Sequence, residues 1–300
     1  MKEILVTGGN GQLGTELKRY PWPGGWTVTA IDIDELDLRD TAAISTMVAS
    51  RPWAAVISAG AYTAVDKAES DIVTAWAVNA MAPAAFAEAC AKAAIPIVQV
   101  STDYVFDGSR EGAWDVTDPV APLGVYGASK LGGELAVRTS GARYAIVRTA
   151  WVVSAHGNNF IKTMLRVGAT NPTLRVVDDQ QGSPTSAADL ATALATITMR
   201  LVEDPAAPTG TYHFSNAGAV TWAGFAREIF AQSAARGGAS ADVEGIPTSE
   251  YPTPATRPAN SLLNHEAIKR DYAIHPPAWQ TALGNILDEL LGAPKKDNSQ

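Results

Sequence analysis

The sequence predicts an α/β fold, a doubly wound parallel sheet of Rossmann type with a smaller C-terminal α/β substrate lobe. Three observations predict it. The chain opens on an apolar strand, a glycine-rich turn and a helix. Strand and helix signals then alternate through the first half. Near Trp151 that rhythm changes. Strands that alternate with helices bury best as a parallel sheet covered on both faces, and right-handed crossovers follow.

The opening unit is the most specific. Ile4-Leu5-Val6 is the strand, Thr7 to Gly14 the turn, and the helix continues to Tyr20. Gly9, Gly11 and Gly14 let the backbone approach a pyrophosphate, and the helix offers unpaired N–H groups and a positive dipole end to it. A second strand, Thr27 to Ile31, ends in Asp32. A carboxylate about 20 residues beyond the glycines can accept hydrogen bonds from an adenosine ribose. These features point to dinucleotide binding. A carboxylate at Asp32 repels a 2′-phosphate and favours NADH over NADPH, and Arg39 softens that preference.

A polar helix follows near Thr41 to Ser50, then a strand at Ala54 to Ser58 and a long helix from Asp71 to Ala93. Ile95 to Val100 is an apolar strand, Val125 to Arg138 a helix, and Ala145 to Arg148 the next strand. Beyond Trp151 come a helix at Asn158 to Gly168, a short strand at Leu174 to Val177 and an amphipathic helix at Ala187 to Val202. A strand near 211–214 is placed to rejoin the main sheet. Trp222 to Ala235 reads as a helix, Pro247 to Pro258 as an ordered proline-bearing loop, and Trp279 to Leu291 as a terminal helix. Residues 1–152 are expected to form the dinucleotide-binding domain, 153–292 mainly a substrate-binding lobe, and 293–300 a frayed tail.

Composition narrows the partners. A net charge of −8 with 46% apolar residues suits a buried core and argues against a nucleic-acid surface. The single cysteine, Cys90, sits in an alanine-rich helix and reads as a buried, inert thiol. No leader-like segment and no run near ~18 apolar residues is expected, so no membrane contact is predicted, and a reducing, cytoplasmic setting follows. The four histidines are too scattered for a zinc site.

The chemistry lies after the fourth strand. Tyr126 and Lys130 are four residues apart and share one helix face. A free phenol, with a pKa near ~10, is a sluggish proton donor or acceptor at neutral pH. A nearby ammonium favours the phenolate and can hydrogen-bond a nicotinamide ribose. The pair falls at the carboxyl edge of the sheet, where such folds bind ligands. Val100 to Phe106 ends the strand. There Ser101 or Thr102 either holds a substrate oxygen or caps a turn, and Asp103 either tunes Tyr126 or forms an Asx turn.

Thr7 to Gly14, Ser101 to Gly108 and Tyr126-x-x-x-Lys130 together resemble the extended short-chain dehydrogenase/reductase superfamily. Further segments resemble, within it, the dTDP-4-dehydrorhamnose reductase family: Ala61 to Glu69, Arg148 to Val152, Gly157 to Phe160, Asp179 to Thr185 and Pro252 to Pro258. The resemblance implies hydride transfer from NADH, with NADPH as the alternative, to C4 of dTDP-4-dehydro-L-rhamnose, giving dTDP-L-rhamnose for cell-surface polysaccharide. It makes Tyr126 the proton donor and Lys130 its partner. Thr102 would hold the sugar, and Asp103 would adjust the tyrosine.

For the cofactor the resemblance implies Gly8, Gly11, Gln12, Leu13, Asp32, Asp37, Leu38, Ala59, Ala61, Tyr62, Thr63 and Asn79, beside Tyr126 and Lys130. For the substrate it implies Thr102, Asp103, Tyr104, Trp151, Asn159 and Arg257, the last for the diphosphate. Some relatives hold Mg²⁺ on three glutamates at a dimer interface. Glu16 and Glu289 match two of these, but Ala188 stands at the third, which argues against a metal here. A homodimer stays open. So does an epimerase of the same superfamily, whereas Tyr104 after Asp103 argues against a dehydratase. A non-catalytic subunit like the regulatory subunit of methionine adenosyltransferase would not need Thr102, Tyr126 and Lys130.

Overall fold

A computed structural model describes residues 1–294 of the chain. In chain order the elements of the first half are β1 (Lys2–Thr7), α1 (Gln12–Arg19), β2 (Trp26–Ile31), α2 (Thr41–Ala49), β3 (Ala55–Ser58), α3 (Val65–Ala68), α4 (Ile72–Trp76), α5 (Ala82–Ala93), β4 (Ile97–Thr102), α6 (Val125–Thr139) and β5 (Tyr144–Thr149). There follow β6 (Val152–Val153), α7 (Phe160–Gly168), β7 (Thr173–Val177), β8 (Gln181–Gly182), β9 (Thr185–Ser186), α8 (Ala187–Glu203), β10 (Gly210–His213), β11 (Val220–Thr221), α9 (Trp222–Ala235), β12 (Asp242–Ile246), α10 (Glu266–Tyr272) and α11 (Trp279–Leu291). Of the expected tail, residues 295–300 lie outside the described residues.

The main sheet has six strands in the order β10-β5-β4-β3-β1-β2, all parallel. The four inner strands β5, β4, β3 and β1 are buried on both faces, as a sheet covered on both sides requires. Alternation along β1 divides them. Ile4 and Val6 face a core completed by Leu17 of α1, Leu190 to Leu201 of α8 and Ile268 of α10. Leu5 faces the other core, with Ile44 of α2, Phe86 of α5 and Val137 of α6. Strand order reverses between β1 and β3, and the cleft opens at the carboxyl ends of the strands, where such a reversal places it.

The smaller lobe has its own core, built from Ile161 and Met164 of α7, Phe225 to Phe230 of α9 and Trp279 to Leu287 of α11. β7 and β12 pair in parallel beside it. The return of the chain to the main sheet is wider than the strand expected near 211–214, because α8 and α10 pack there with β10. β12 went unread because DVEGI is mostly exposed and shows no alternation.

Two local differences bear on the site. α1 starts at Gln12, inside the glycine run. The long helix expected from Asp71 to Ala93 is broken by a π-helical turn at Ala77–Met81. By length and composition Ile72–Ala93 is also long and apolar enough to cross a membrane, contrary to the reading that no such run exists. Half of its apolar window is buried, and α5 lies between α2 and α6.

Candidate active site

The cleft at the carboxyl end of the sheet has a volume of ≈ 920 Å³. Gly8, Gly11, Gln12, Leu13, Asp32, Asp37, Leu38, Ala59, Ala61, Tyr62 and Thr63 line it. Thr102, Asp103, Tyr104, Tyr126, Lys130 and Trp151 line it as well. Gly14 makes the turn possible, since a Cβ there would stand 2.1 Å from the carbonyl oxygen of Gly8. No side chain fits that gap, so the first turn of α1 packs directly on the backbone of the glycine turn. The Asp32 carboxylate accepts from Asn10 N at 2.7 Å with one oxygen and from Ile33 N at 2.8 Å with the other. It therefore braces the glycine turn as well as facing the cleft.

At the other end, α6 supplies Tyr126 and Lys130 from its first two turns. Its amino end is capped by the Glu69 carboxylate, which accepts from Val125 N at 2.8 Å. Lys130 is buried, and its Nζ donates to the Val100 carbonyl at 2.7 Å. Thr102 accepts from Tyr104 N at 3.2 Å, capping the short turn Asp103–Val105, and donates to Asp103 Oδ1 at 3.0 Å. The rings of Tyr104 and Tyr126 meet edge to face, 5.4 Å apart.

Burial dominates the electrostatics. It pushes the Tyr126 phenol up to about 12, against the pull of the Thr102 hydroxyl and with a further push from Asp103. It pushes Lys130 down to about 8, while Glu134 opposes the loss of the cation. It raises Asp103 to about 6, with the hydroxyls of Ser261 and Thr102 working the other way. The sequence reading had the Lys130 ammonium lower the tyrosine. Here the group that lowers it is Thr102, because Lys130 is turned to a backbone carbonyl. Tyr126 is thus held as a protonated phenol at neutral pH.

Beneath this end lies a cluster that the motif search missed. Glu134 is fully buried and takes a two-pronged contact from Arg148, with Nε and Nη2 each at 2.8 Å. Arg138 adds a third contact at 2.8 Å, and Ser101 donates its hydroxyl at 2.6 Å. Ser101 is therefore spent on Glu134. The signal was present in the sequence: an arginine inside the apolar strand YAIVRT needs a buried anion.

Several expected site residues stand elsewhere. Asn79, on the π-helical turn, is buried and does not line the cleft. Its Oδ1 accepts from Tyr62 N at 2.9 Å, and its Nδ2 donates to Tyr62 O and Ser129 Oγ, each at 3.1 Å. It fixes the Tyr62 loop from behind. Asn159 caps α7 and ties it to Gln12 Oε1 at 2.9 Å, so it joins the lobes and leaves the cleft wall to Asn158. Arg257 pairs with Asp66 at 2.8 Å, outside the cleft lining. Trp151 is in the cleft with a left-handed backbone (φ 50°), stacked on Trp222 at 3.6 Å.

Glu16 and Glu289 do converge, but on Arg19 and His156. Arg19 contacts Glu289 at 2.7 Å and Glu16 at 3.8 Å, and His156 lies 3.3 Å from Glu16 and 3.5 Å from Glu289. Among the described residues no group of three or more His, Cys, Asp or Glu is arranged to hold a metal ion.

Comparison with known proteins agrees with this geometry. Residues 1–291 match the model of a family described as the RmlD substrate binding domain. A dTDP-4-dehydrorhamnose reductase of Burkholderia thailandensis is 42% identical over 296 residues, 96% of this chain and 99% of the relative. A solved dTDP-4-dehydrorhamnose reductase from Clostridium acetobutylicum superposes with a TM-score of 0.90 at 36% identity, covering 96% of this chain and 99% of the other. A Bacillus anthracis dTDP-4-dehydrorhamnose reductase in complex with NADP superposes with a TM-score of 0.89 at 34% identity, covering 96% and 100%.

Proposed function

Since this chain belongs to the family described as the RmlD substrate binding domain, we propose that it reduces the C4 carbonyl of dTDP-4-dehydro-L-rhamnose to dTDP-L-rhamnose. The reductant is a nicotinamide coenzyme, and the product serves dTDP-rhamnose biosynthesis. One observation carries the reading: Tyr126, held protonated, faces the same cleft as the glycine turn, with Lys130 one helical turn behind it. The residues suit the coenzyme. Gly8 and Gly11 bring backbone to the cleft wall, and Asp32 faces the same cleft from the end of β2.

When bound, the coenzyme supplies the hydride. The chain's residues handle the proton. Tyr126 donates from its hydroxyl to the alkoxide that forms at C4, a step worth typically 10²–10⁴-fold in rate for a positioned acid. The phenolate left behind sits in a desolvated site where the Thr102 hydroxyl favours it, and Lys130, one helical turn along α6, is held on the Val100 carbonyl at the same end of the cleft. The Thr102 hydroxyl lies at the cleft wall within reach of both Asp103 and Tyr126, where it can also hydrogen-bond a sugar oxygen. Trp151 offers a flat apolar wall for the sugar, braced by Trp222.

Residues 1–152 hold the coenzyme in this reading, and 153–292 mainly the nucleotide sugar. Arg257 is the candidate for the diphosphate. Asp66 takes its Nη2, and its buried Nη1 has no partner among the described residues. Asn79 and Asn159 act as positioning residues, the first through Tyr62 and the second through Gln12. The test is turnover with dTDP-4-dehydrorhamnose and either coenzyme. One reduced coenzyme should be oxidised per sugar reduced. A sugar converted with the coenzyme unchanged would mark an epimerase, and binding without turnover a regulatory subunit. Either result overturns the reductase.

A further inference from the structure

We propose that the ion pair between Asp37 and Arg39 sets the coenzyme preference. Asp37 withholds Arg39 from a 2′-phosphate on the adenosine ribose and so favours NADH over NADPH. The inference rests on the dinucleotide reading of the cleft.

The argument begins with what the adenosine end offers an anion. Among the described residues that line the cleft, Arg39 and Lys130 are the only lysine or arginine side chains. Lys130 is buried at the far end on the Val100 carbonyl. Arg39 is therefore the one cation on hand for a phosphate near Asp32. Around it the loop after β2 is acidic, with Asp32, Asp34, Glu35 and Asp37 inside six residues. A 2′-phosphate placed there meets repulsion unless Arg39 answers it.

Arg39 is not at liberty to do so. Its Nε donates to Asp37 Oδ1 at 2.9 Å and Oδ2 at 3.0 Å, and its Nη2 to Oδ2 at 2.5 Å. The backbone N of Arg39 donates to the same Oδ1 at 2.9 Å, which closes the arrangement into a compact ring. This planar fork is a geometry a guanidinium would otherwise offer to a phosphate. Asp37 thus occupies the Nε/Nη2 edge of Arg39 and neutralises its charge. The contact also holds the Asp37 carboxyl down to about 2, so the pair stays intact across the neutral range.

The magnitude follows from exposure. The side chains of Arg39 and Asp37 are 56% and 38% exposed, and exposed pairs are weak. A dianionic phosphate can compete with one carboxylate, so the preference is graded, not absolute. Removing Asp37 should shift it by about two- to fivefold.

The experiment measures binding of adenosine 5′-diphosphate and adenosine 2′,5′-diphosphate by calorimetry to the full chain. It uses wild type, Asp37→Ala, Arg39→Ala and the double variant, with the NADPH to NADH ratio of kcat/KM as a second readout. Asp37→Ala should tighten the 2′,5′ ligand relative to the 5′ ligand by about two- to fivefold, and the double variant should lose that gain. A gain that survives in the double variant would mean that only the lost negative charge mattered, and it would overturn the proposal, as would no gain at all. Wild type binding neither ligand would overturn the dinucleotide reading and the proposal with it.

Discussion

Tyr126 has to keep its proton until C4 becomes basic enough to take it. Burial secures this by pushing the phenol up to about 12. Lys130 has the opposite requirement, because it must stay charged while desolvation pushes it down to about 8. Lys130 carries its proton below that value and loses it above. The kcat/KM profile should therefore fall as pH rises through about 8, and Lys130→Arg, which cannot deprotonate in this range, should abolish that limb whatever its absolute rate. The Tyr126 and Lys130 pair was legible in the sequence because four residues along a helix fix a common face. The part played by Thr102 was not, since it depends on how closely β4 approaches α6. Asn79 and Asn159 misled for a related reason. A carboxamide beside a cleft and one that braces its wall look alike until their partners are known.

At the scale of elements, the position of α6 decides whether Tyr126 reaches the cleft. The helix lies so close to the Asp103–Val105 turn that a Cβ on Gly127 would stand 2.1 Å from the Tyr104 carbonyl oxygen. Gly127→Ala must push the helix away. We expect a loss of about 1–3 kcal/mol in stability, read by denaturant unfolding, with kcat falling more than coenzyme affinity. Equal losses in kcat and coenzyme affinity would mean that the whole cleft moved. The buried cluster under α6 is more sensitive. Glu134→Gln leaves the Arg148 guanidinium buried without its anion, and about 3–5 kcal/mol should be lost. The π-helical turn at Ala77–Met81 escaped the sequence reading, since this alanine-rich stretch is apolar nearly all round and has no sharp stripe whose shift would betray an extra residue. Its effect is local: it sets Asn79 under the Tyr62 loop.

For the whole molecule, the alternating first half made the sheet readable, because parallel strands buried on both faces are plain apolar runs. The second half was harder. α8, β10 and α10 return to the main sheet, so sequence order there does not separate one lobe from the other. Two histidines sit in that returning chain, His213 buried and His265 half-buried. His213 donates from Nδ1 to the Trp114 carbonyl at 3.1 Å and is pushed down to about 3, mainly by burial. His265 accepts from Ser215 N at 3.2 Å and is pushed down to about 4, again mainly by burial.

Both histidines stay neutral in the fold, while the unfolded chain protonates them near ~6.5. Stability should then fall as pH drops from about 6.5 towards 4, by up to about 1.4 kcal/mol per pH unit for each histidine. Asp103, raised to about 6, works the other way below that value, because the folded chain holds its proton first. The slope between about 6 and 4 carries both histidine contributions, reduced by Asp103 and by Asp189, which burial also raises. His213→Phe or His265→Gln should flatten it in a pH series of denaturant unfolding curves.

The central claim is that Tyr126 hands a proton to C4 as the hydride arrives, and it is tested most directly in a single turnover. Enzyme loaded with reduced coenzyme is mixed with dTDP-4-dehydrorhamnose, and loss of the nicotinamide absorbance is followed for wild type and Tyr126→Phe. The account predicts a rate lower by about 10²–10⁴-fold in the variant, with coenzyme affinity within about threefold of wild type. A variant that oxidises the coenzyme at close to the wild-type rate would contradict it.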